Sequence, residues 1–470
     1  MGRNKLTKAN KITKYIKEFK GEFIEGTNGR MFCNVCCKCI DFNKRDHVLS
    51  HRESKTHQSR MKSKEGILLQ QSFVADTNPD LTKKITDAFL SADIPLNKLD
   101  NEKMRDLFKY LNVTLPSVRT ARRYVESISS KVQLEIQKKL NSKIIFVIFD
   151  ESEINSIKYC NVLAGDICFP LQTWLVDSRS ITESINSTIV VHIIKDVLES
   201  INVPLINCQV LISDSASYMK KAGKMLKAEH PNMLHVFCLA HLLHNCAMQI
   251  KAYYSDVDTM MGAIKMLTHK NKTRSNLFSS IGTPPSIIVT RWSSWLRASL
   301  YYSSNLPSVR DIVASNPMTG IIAEKVIKAI NHANLTSDLI IIRGYADKLI
   351  PVLDALENGE KNIFEAFTLI SNVTFSQDPV NVMGYIKTRL ESNDASEIIH
   401  CSNPKISPDI YYYLRNGHAT SILVERSFSM LKNLLTKKRN FEEGNIFKYF
   451  TVYYNSKVID SPLHCADLTE

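Results

Sequence analysis

Apolar residues are spaced in two different ways along this chain, and the change comes near residue 143. Between residues 81 and 140 they recur at the intervals of amphipathic helices, with Pro95 as a break and Ser117 as a candidate helix cap. Beyond residue 143 they form short runs rich in β-branched and aromatic residues, which predict strands. These runs are KIIFVIFD (143–150), KYCNVLAGD (158–166), ICFPLQTWLVD (167–177), CQVLISD (208–214) and HVFCLAH (235–241).

An amphipathic helix, ITESINSTIVVHIIKDVLES (181–200), interrupts the predicted strands. Strands that alternate with a helix in this way predict an α/β core. Residues 245–415 are then predicted to be mostly helical, with loops near Pro284–Pro285 and at 392–397, and a last helix covers residues 421–441.

Two of the predicted strands end in aspartate, at Asp150 and at Asp214. Asp214 precedes a helical segment, so its side chain could cap that helix by accepting from free backbone N–H groups. The alternative is a metal site, since α/β folds place their ligands at the carboxyl ends of the strands. Carboxylates that share such an edge would suit a hard divalent cation such as Mg²⁺.

The charge of the chain is concentrated at its start. The chain has 470 residues, a length that predicts two to four domains, and its formal charge is +13. Residues 1–64 hold sixteen lysines and arginines against six acidic residues, which gives this segment a formal charge of +10. A basic segment favours a polyanion such as DNA as partner, although a merely solubilising tail has the same composition.

Cysteine and histidine cluster within the same basic segment. Cys33 and Cys36 are followed by His51 and His57, a set that suits a closed tetrahedral Zn²⁺ site. His47, Cys37 and Cys39 are alternative ligands. Five basic residues surround the cluster and predict contacts with nucleic acid: Arg45, Arg52, Lys55, Arg60 and Lys62. No apolar run approaches the roughly 20 residues of a membrane span, so we expect a soluble intracellular protein whose thiols are reduced and can bind metal.

The stretch FCNVC…HRESKTHQSR, which starts at Phe32, resembles a BED-type zinc finger. It is especially similar to the finger of the family of the CGG-triplet-repeat-binding protein and its transposase relatives. The segment DAFLSADIPLNKLDNEKMRDLFKYL (87–111) resembles the helical segment that follows the finger in that family.

Five further stretches resemble hAT-family DNA transposases and occur in that family's order. They are IFDESE (148–153), LISDSASYMKKAG (211–223), HVFCLAHLLHN (235–245), VTRWSSWL (289–296) and SILVERSFSMLKNLLTKKRN (421–440). The resemblance implies an α/β RNase H-like catalytic domain that is interrupted by an all-α insertion and preceded by the small zinc finger and a helical segment. It also implies that Asp150, Asp214 and Glu425 are catalytic and hold Mg²⁺ or Mn²⁺.

The same resemblance assigns roles to other residues. Cys238 and His241 fall on a Cys-x2-His block near the scissile phosphate, with His241 as a catalytic residue and Cys238 near DNA. Two alternatives stay open, a second zinc site that includes His244 and Cys246, and a histidine that is only part of the core. Arg291 and Trp292 fall on an Arg-Trp pair whose indole stacks on a flipped base.

Four further features of the sequence bear on these assignments. Trp295 could be confused with Trp292, and the run KKRN (437–440) is predicted to be a solvated helix end. Glu151 and Glu153 stand where many family members have Trp or Thr; either could be a spare metal ligand, but both are interpreted as surface charge. The insertion is also shorter than in the best-known members.

The predicted organisation has six parts. They are a basic arm (1–25), the BED-type finger (26–62), a helical DNA-binding or dimerisation segment (80–140), the first part of the RNase H-like core (141–245), the helical insertion (246–415), and the second part of the core with a dimerisation region (416–470). The sequence thus predicts a nuclear DNA transposase that binds double-stranded DNA, forms at least a homodimer, and has no membrane partner. A transposase-derived DNA-binding regulator without catalysis is the alternative, and a plain RNase H-type nuclease explains less of the chain.

Overall fold

The computed structural model describes residues 8–19, 22–26, 30–36, 38–62, 79–269, 271–285, 287, 293–316, 319–359, 361–400, 408–435, 441 and 443–459. Residues 63–78, together with Cys37, Arg291, Trp292 and the KKRN run, lie outside these residues. The chain divides into two compact units, residues 1–128 and 129–470.

The first unit begins with a small α/β domain. Its elements are α1 (Lys8–Glu18), β1 (Phe23–Gly26), β2 (Arg30–Cys33), β3 (Lys38–Ile40), α2 (Arg45–Glu53) and α3 (Lys55–Lys62). The three strands form an antiparallel sheet in the order β1-β2-β3. A compact apolar core contains Ile12 of α1, Phe23 and Met31 of the sheet, and Val48 of α2. Cys33 and Cys36 belong to the same core, so the predicted zinc ligands lie inside the domain.

Helices follow, as the apolar spacing predicts. They are α4 (Pro79–Ser91), a 3-10 helix (Leu96–Asp100), α5 (Glu102–Tyr110) and α6 (Val118–Leu140), the last of which runs across the boundary between the units. Pro95 separates α4 from the 3-10 helix. The Ser117 hydroxyl accepts from the Thr120 N–H at 3.1 Å, so the predicted cap of α6 is confirmed.

The second unit is built on a mixed five-stranded sheet. Its strands are β4 (Ile145–Ile154), β5 (Ile157–Asp166), β6 (Thr173–Ile181), β7 (Cys208–Ser213) and β8 (Leu234–Phe237), in the order β6-β5-β4-β7-β8. β4, β5 and β6 pair antiparallel, whereas β7 and β8 continue parallel to β4. The carboxyl ends of the three parallel strands therefore meet at one edge of the sheet.

Strand β4 is longer than its apolar run predicts. It continues through Asp150 to Ile154, because a tight turn at Asn155 and Ser156 returns the chain as β5. Both turn residues have positive φ, 52° and 65°, as a two-residue hairpin of the favoured handedness requires. The polar end of β4 is thus paired with β5 alone, since its pairing with β7 ends at Ile148.

The remaining elements of this unit are helical. They are α7 (Ser187–Ser200), a 3-10 helix (Leu205–Asn207), α8 (Ser217–Glu229), α9 (Leu239–Tyr253), α10 (Ser255–Thr268), α11 (Lys272–Asn276), a 3-10 helix (Ser279–Ile281), α12 (Ser294–Ser315), α13 (Ile321–Ile330), α14 (Leu335–Asn358), α15 (Ile363–Ser371), α16 (Val382–Glu391), α17 (Asp394–His400), α18 (Pro408–Asn416), α19 (Ile422–Leu434) and α20 (Glu443–Ile459).

The sheet and the helices share one apolar core. A single cluster of buried residues joins Ile212 of the sheet to Leu243 of α9, Leu349 of α14 and Phe428 of α19. The final helix α20 is also tied to the sheet, because the Asn455 amide donates to the Leu175 carbonyl at 3.0 Å and accepts from its N–H at 2.9 Å. No helix in the described part of the chain is long and apolar enough to span a bilayer.

Helix α8 lies close to strand β8 at one glycine. A Cβ atom on Gly223 would lie 2.7 Å from Cε1 of His235, nearer than real Cβ contacts. His235 cannot easily move, since it is 4% exposed and its Nε2 lies 2.8 Å from the Ser213 hydroxyl. Glycine at position 223 therefore sets the distance between α8 and the sheet.

We expect Gly223→Ala to lower the free energy of unfolding by about 1–3 kcal/mol, because overpacking outweighs the higher helix propensity of alanine. Gly262→Ala in α10 is the matched control, since nothing lies within 4 Å of its added Cβ. That change should instead stabilise the protein by about 0.5–1 kcal/mol. Thermal unfolding followed by circular dichroism measures both, and equal stabilisation by the two substitutions would refute the close approach.

Candidate functional site

Four predicted zinc ligands converge in the small N-terminal domain. Cys33 ends β2, Cys36 lies in the turn that follows, His51 lies on α2 and His57 on α3. One ligand atom from each residue lies within 4.8 Å of the others. The Cys36 N–H donates to the Cys33 sulfur at 3.3 Å, which shapes the turn so that both sulfurs face the histidines.

The distances within this cluster fit a tetrahedral zinc ion. Nδ1 of His57 lies 3.4 Å from the Cys33 sulfur, 3.5 Å from the Cys36 sulfur and 3.3 Å from Nε2 of His51. Bonds of about 2.3 Å to sulfur and about 2.0 Å to nitrogen place tetrahedral ligand atoms about 3.3–3.6 Å apart. His57 would therefore bind through Nδ1, and the donor set is consistent with a structural zinc site.

The alternative ligands lie elsewhere or are not described. His47 is exposed and pairs with Asp41 at 2.7 Å. Cys39 is exposed on β3, and Cys37 lies outside the described residues. The cluster of Cys33, Cys36, His51 and His57 is thus the set that the described part of the domain brings together.

Glu22 lies next to this cluster, and no sequence pattern distinguishes it from other glutamates. Its Oε2 lies 3.3 Å from Nε2 of His57, the ring nitrogen that faces away from the other ligands. A carboxylate in this position fixes the orientation of a metal-binding imidazole. Glu22 also accepts two hydrogen bonds from Arg52, at 2.6 and 2.8 Å. Burial raises the pKa of Glu22, but the hydrogen bond and charge of Arg52 outweigh it and lower the pKa overall.

The basic residues predicted to contact DNA differ in their surroundings. The guanidinium of Arg52 is held by Glu22 and lies 4.3 Å over the Phe19 ring. Arg45 pairs with Glu18 but is half exposed. Lys55 is exposed at the start of α3, the helix that also carries Arg60. Their contacts with DNA stay predictions.

A second cluster lies at the edge of the large sheet where the parallel strands end. Ile148 of β4 is the register partner of Ile212 in β7, so Asp150 and Asp214 each come two residues after this pair. The sequence expectation that two aspartates meet at neighbouring strand positions agrees with this register. Asp150 faces the same side of the sheet as Asn161, its direct partner on β5.

Helix α19 brings Glu425 to this edge. The helix packs on β4 and β5, and Glu425 lies in its first turn. The buried Asn161 amide donates to the Ser427 hydroxyl at 2.7 Å, which fixes the helix above the neighbour of Asp150. At the start of the helix, Ser421 donates its N–H to the Cys238 sulfur at 3.2 Å and its hydroxyl lies 3.3 Å from Nδ1 of His241.

Asp150, His241 and Glu425 therefore converge, with one ligand atom from each within 4.8 Å of the others. Nε2 of His241 lies 3.5 Å from Oε1 of Glu425. Asp150 is 7% exposed, and its Oδ1 accepts from the Glu151 N–H at 2.8 Å. Its Oδ2 is buried and has no hydrogen-bond partner among the described residues, so a ligand oxygen faces the cluster without a donor.

The electrostatics of this cluster call for a positive charge. Burial, and then the charge of Glu425, raise the pKa of Asp150 well above its usual range, and Asp214 adds to the effect. Burial lowers the pKa of His241, but the charges of Cys238, Asp150 and Glu425 outweigh it and raise that pKa to about 10. A protonated His241 thus offsets part of the crowded negative charge. Donors of this type, two carboxylates and an imidazole, also fit a divalent cation.

Cys238 and His241 act together at the start of helix α9. Cys238 is 2% exposed, so any effect that it has on DNA would pass through its neighbours. Burial raises its pKa, but His241 and Ser421 lower it by more. Within the described residues, neither His244 nor Cys246 joins these two in a group of metal ligands, so the alternative of a second zinc site has no support.

The surroundings of Asp214 distinguish its two interpretations. Helix α8 starts at Ser217 with Ala216 at the cap position, and no side chain caps it. Asp214 instead accepts from the Ala216 N–H at 3.2 Å, in the loop between β7 and the helix. Its charge helps to raise the pKa of Asp150, although Asp214 does not belong to the group formed by Asp150, His241 and Glu425. Its role as a metal ligand stays a prediction.

Tyr218 and Glu151 lie beside the acidic residues, and the sequence analysis does not single out Tyr218. Burial and then the charges of Asp214 and Glu151 raise the pKa of the Tyr218 phenol. Glu151 is half-buried with a buried Oε2, so its interpretation as surface charge is wrong, whereas Glu153 is exposed as expected.

Of the two tryptophans in the RWSSW stretch, Trp295 lies within the described residues and Trp292 does not. Trp295 is 5% exposed and donates its indole N–H to Asp258 at 3.0 Å, so it belongs to the core. Arg291 and Trp292 lie outside the described residues, and their DNA contacts stay predictions.

Comparison with known proteins supports the N-terminal part of this picture. Residues 8–63 match the family described as the CGGBP1 N-terminal domain, and this range includes all four zinc ligands. No curated protein gives a significant match to the chain. The finger part of the resemblance is thereby confirmed, whereas the resemblance of the later motifs to hAT transposases stays a prediction.

We expect Glu22→Gln to weaken metal binding by about 10–100-fold, because the charge that orients the His57 imidazole is removed. Glu25→Gln on strand β1 is the matched control, since Glu25 is exposed on the strand that Glu22 directly precedes. Cobalt titration of the full chain, read from the thiolate-to-cobalt absorption band, measures the change. Equal affinity of the Glu22→Gln and Glu25→Gln proteins would show that Glu22 does not support the site.

Proposed function

We propose that this protein is a DNA transposase of the hAT type that works in the nucleus. The observation that carries the proposal is the convergence of Asp150, Glu425 and His241, with a buried Asp150 oxygen that lacks a donor among the described residues. The strand order β6-β5-β4-β7-β8, with β5 antiparallel and β7 and β8 parallel to β4, is the arrangement expected of an RNase H-like domain. Glu425 is supplied by a helix far along the chain, as the family resemblance implies.

In this proposal Asp150, Asp214 and Glu425 hold Mg²⁺ or Mn²⁺. A bound divalent ion would activate water or a 3′-hydroxyl and stabilise the leaving oxygen of a phosphodiester. Ser421 and Ser427 hold Glu425 at the strand edge, and the charge of Cys238 raises the pKa of His241 beside it. The imidazolium can then donate to a phosphate oxygen that approaches the carboxylates.

The reaction that we propose has three steps. Strand cleavage by water comes first, hairpin formation on the flanking DNA follows, and the element's 3′-hydroxyl then attacks target DNA. The zinc domain and the basic residues before it bind the element's ends, in line with the match of residues 8–63 to the CGGBP1 N-terminal domain. Since two ends must be cut together, we expect at least a homodimer.

One observation favours a second candidate. The family match covers the N-terminal domain and not the sheet, which suits a transposase-derived regulator that binds DNA and does not cut it. Catalysis is therefore the property that separates the two candidates.

We expect Asp214→Asn or Glu425→Gln to reduce cleavage of the element's own ends in Mg²⁺ by at least about 100-fold, since each removes a charged ligand. DNA binding should be unchanged. The matched control is Glu153→Gln, an exposed carboxylate on the same strand as Asp150, which should cleave normally. Hairpin products resolved on denaturing gels are the readout, and wild-type protein that binds the ends but never cuts them would favour the regulator.

A separate substitution tests the DNA-binding domain. Cys36→Ser removes a zinc ligand and should weaken binding to the element's ends at least about tenfold, because metal binding stabilises such small domains. Cys39→Ser, on an exposed cysteine of strand β3, is the matched control. Fluorescence anisotropy measures both affinities, and an unchanged affinity of Cys36→Ser would show that the domain does not bind the DNA.

A further inference from the structure

Lys220 lies against Phe237 at the carboxyl edge of the sheet, within range of the charges of Lys224 and Arg389. Nζ of Lys220, in the first turns of α8, lies 5.5 Å from the centre of the Phe237 ring. Lys224 lies one turn further along the same helix. Arg389 lies near the end of α16, and just beyond it Asn393 donates to the Phe237 carbonyl at 3.1 Å. We call Lys220, Lys224 and Arg389 the cation cluster.

The cation cluster has no acidic partner among the described residues. None of its three members forms an ion pair there, whereas Lys227 on the same helix pairs with Asp394 at 2.7 Å. Burial lowers the pKa of Lys220, and so do the charges of Arg389 and Lys224. Like charges held together in this way repel each other unless an anion lies between them.

The cation cluster borders the acidic site. Phe237 is the register partner of Ser213, the last residue of β7, and Asp214 follows directly. The loop from Asp214 leads into α8, so Lys220 and Lys224 extend away from the same strand edge. A chain that is cut at the carboxylates would pass the cation cluster with its neighbouring phosphates.

Here we propose that Lys220, Lys224 and Arg389 bind the phosphates of the DNA strand that flanks the bond to be cut. This inference rests on the proposed function and deepens it by naming the surface that holds the strand at the site. Cations at flanking phosphates offset the repulsion that a phosphodiester meets as it approaches buried carboxylates. Since they contact the backbone, they carry no base preference.

The test is the salt dependence of DNA binding by the full chain without added divalent cation. The variant replaces all three residues of the cation cluster: Lys220→Gln, Lys224→Gln and Arg389→Gln. We expect the slope of log affinity against log salt concentration to fall by roughly 2–3, because each lost phosphate contact removes about 0.9. Affinity should drop equally for duplexes of unrelated sequence.

A matched control tests whether the loss of surface lysines elsewhere changes the salt dependence of DNA binding in the same way. Lys325 and Lys328 of α13 are exposed and have no ion pair among the described residues, so their replacement by Gln removes comparable charge elsewhere. This control should keep the wild-type slope. Thermal unfolding of both variants checks that each is folded.

The Cys36→Ser background removes the contribution of the zinc domain, so both variants are also measured there. An unchanged slope of the cation-cluster variant in both backgrounds would overturn the proposal, and so would a loss confined to RNA of the same sequence. Because binding is measured without cleavage, this result is independent of catalysis. The two proposals can therefore fail separately. If the wild-type protein never cuts DNA, but the slope of log affinity against log salt falls in the cation-cluster variant, the transposase proposal is contradicted and the proposed phosphate-binding surface is supported.

Discussion

Two hydrogen-bonded contacts hold helix α19 against the sheet, and the position of Glu425 depends on both. Ser421 fixes the start of the helix to Cys238 and His241, and Ser427 fixes its next turns to Asn161. Glu425 lies between these two contacts, and Asn161 is the direct strand partner of Asp150. The antiparallel ladder of β4 and β5 thus sets where a carboxylate from a remote part of the chain meets the sheet.

Negative and positive side chains lie next to each other at this edge of the sheet. Asp150 and Glu425 place negative charge in a buried setting, which is unfavourable unless a cation or a proton compensates for it. His241 supplies one positive charge, because Cys238 and the carboxylates raise its pKa to about 10. Farther along the same edge, Lys220 and Arg389 remain without acidic partners among the described residues. In our proposal a divalent ion compensates for the charge of Asp150 and Glu425, and a nucleic-acid backbone compensates for the charge of Lys220 and Arg389.

Much of this arrangement is predictable from local patterns. The apolar runs locate the strands, except that the run at 167–177 begins before β6 and the run at 235–241 continues into α9. The Cys/His spacing identifies the ligands of the zinc-type cluster, and Ser117 marks the start of α6. The end of β4 was missed, because the two-residue turn at Asn155 and Ser156 extends the strand through polar residues whose hydrophobic signal has ceased. Periodicity reports burial, whereas that part of β4 is held by ladder hydrogen bonds to β5.

Contacts between remote residues were less predictable. Glu22 and Tyr218 lie beside the two sites only because the fold brings their segments there, and no motif distinguishes them from other residues of their kind. Arg52 shows the converse, since its basic surroundings predict a DNA contact while the fold pairs its guanidinium with Glu22. Glu151 is predicted to be surface charge because the apolar run ends at Asp150, whereas β4 continues to Ile154.

Anomalous diffraction from crystals soaked in Mn²⁺ tests the central claim most directly, because it locates the ion without any need for a known DNA substrate. We expect a manganese peak bounded by the carboxylates of Asp150 and Glu425, with Asp214 at its edge. A saturated crystal with no peak there, or with Mn²⁺ bound only at other places, would contradict the account of this cluster as a catalytic metal centre.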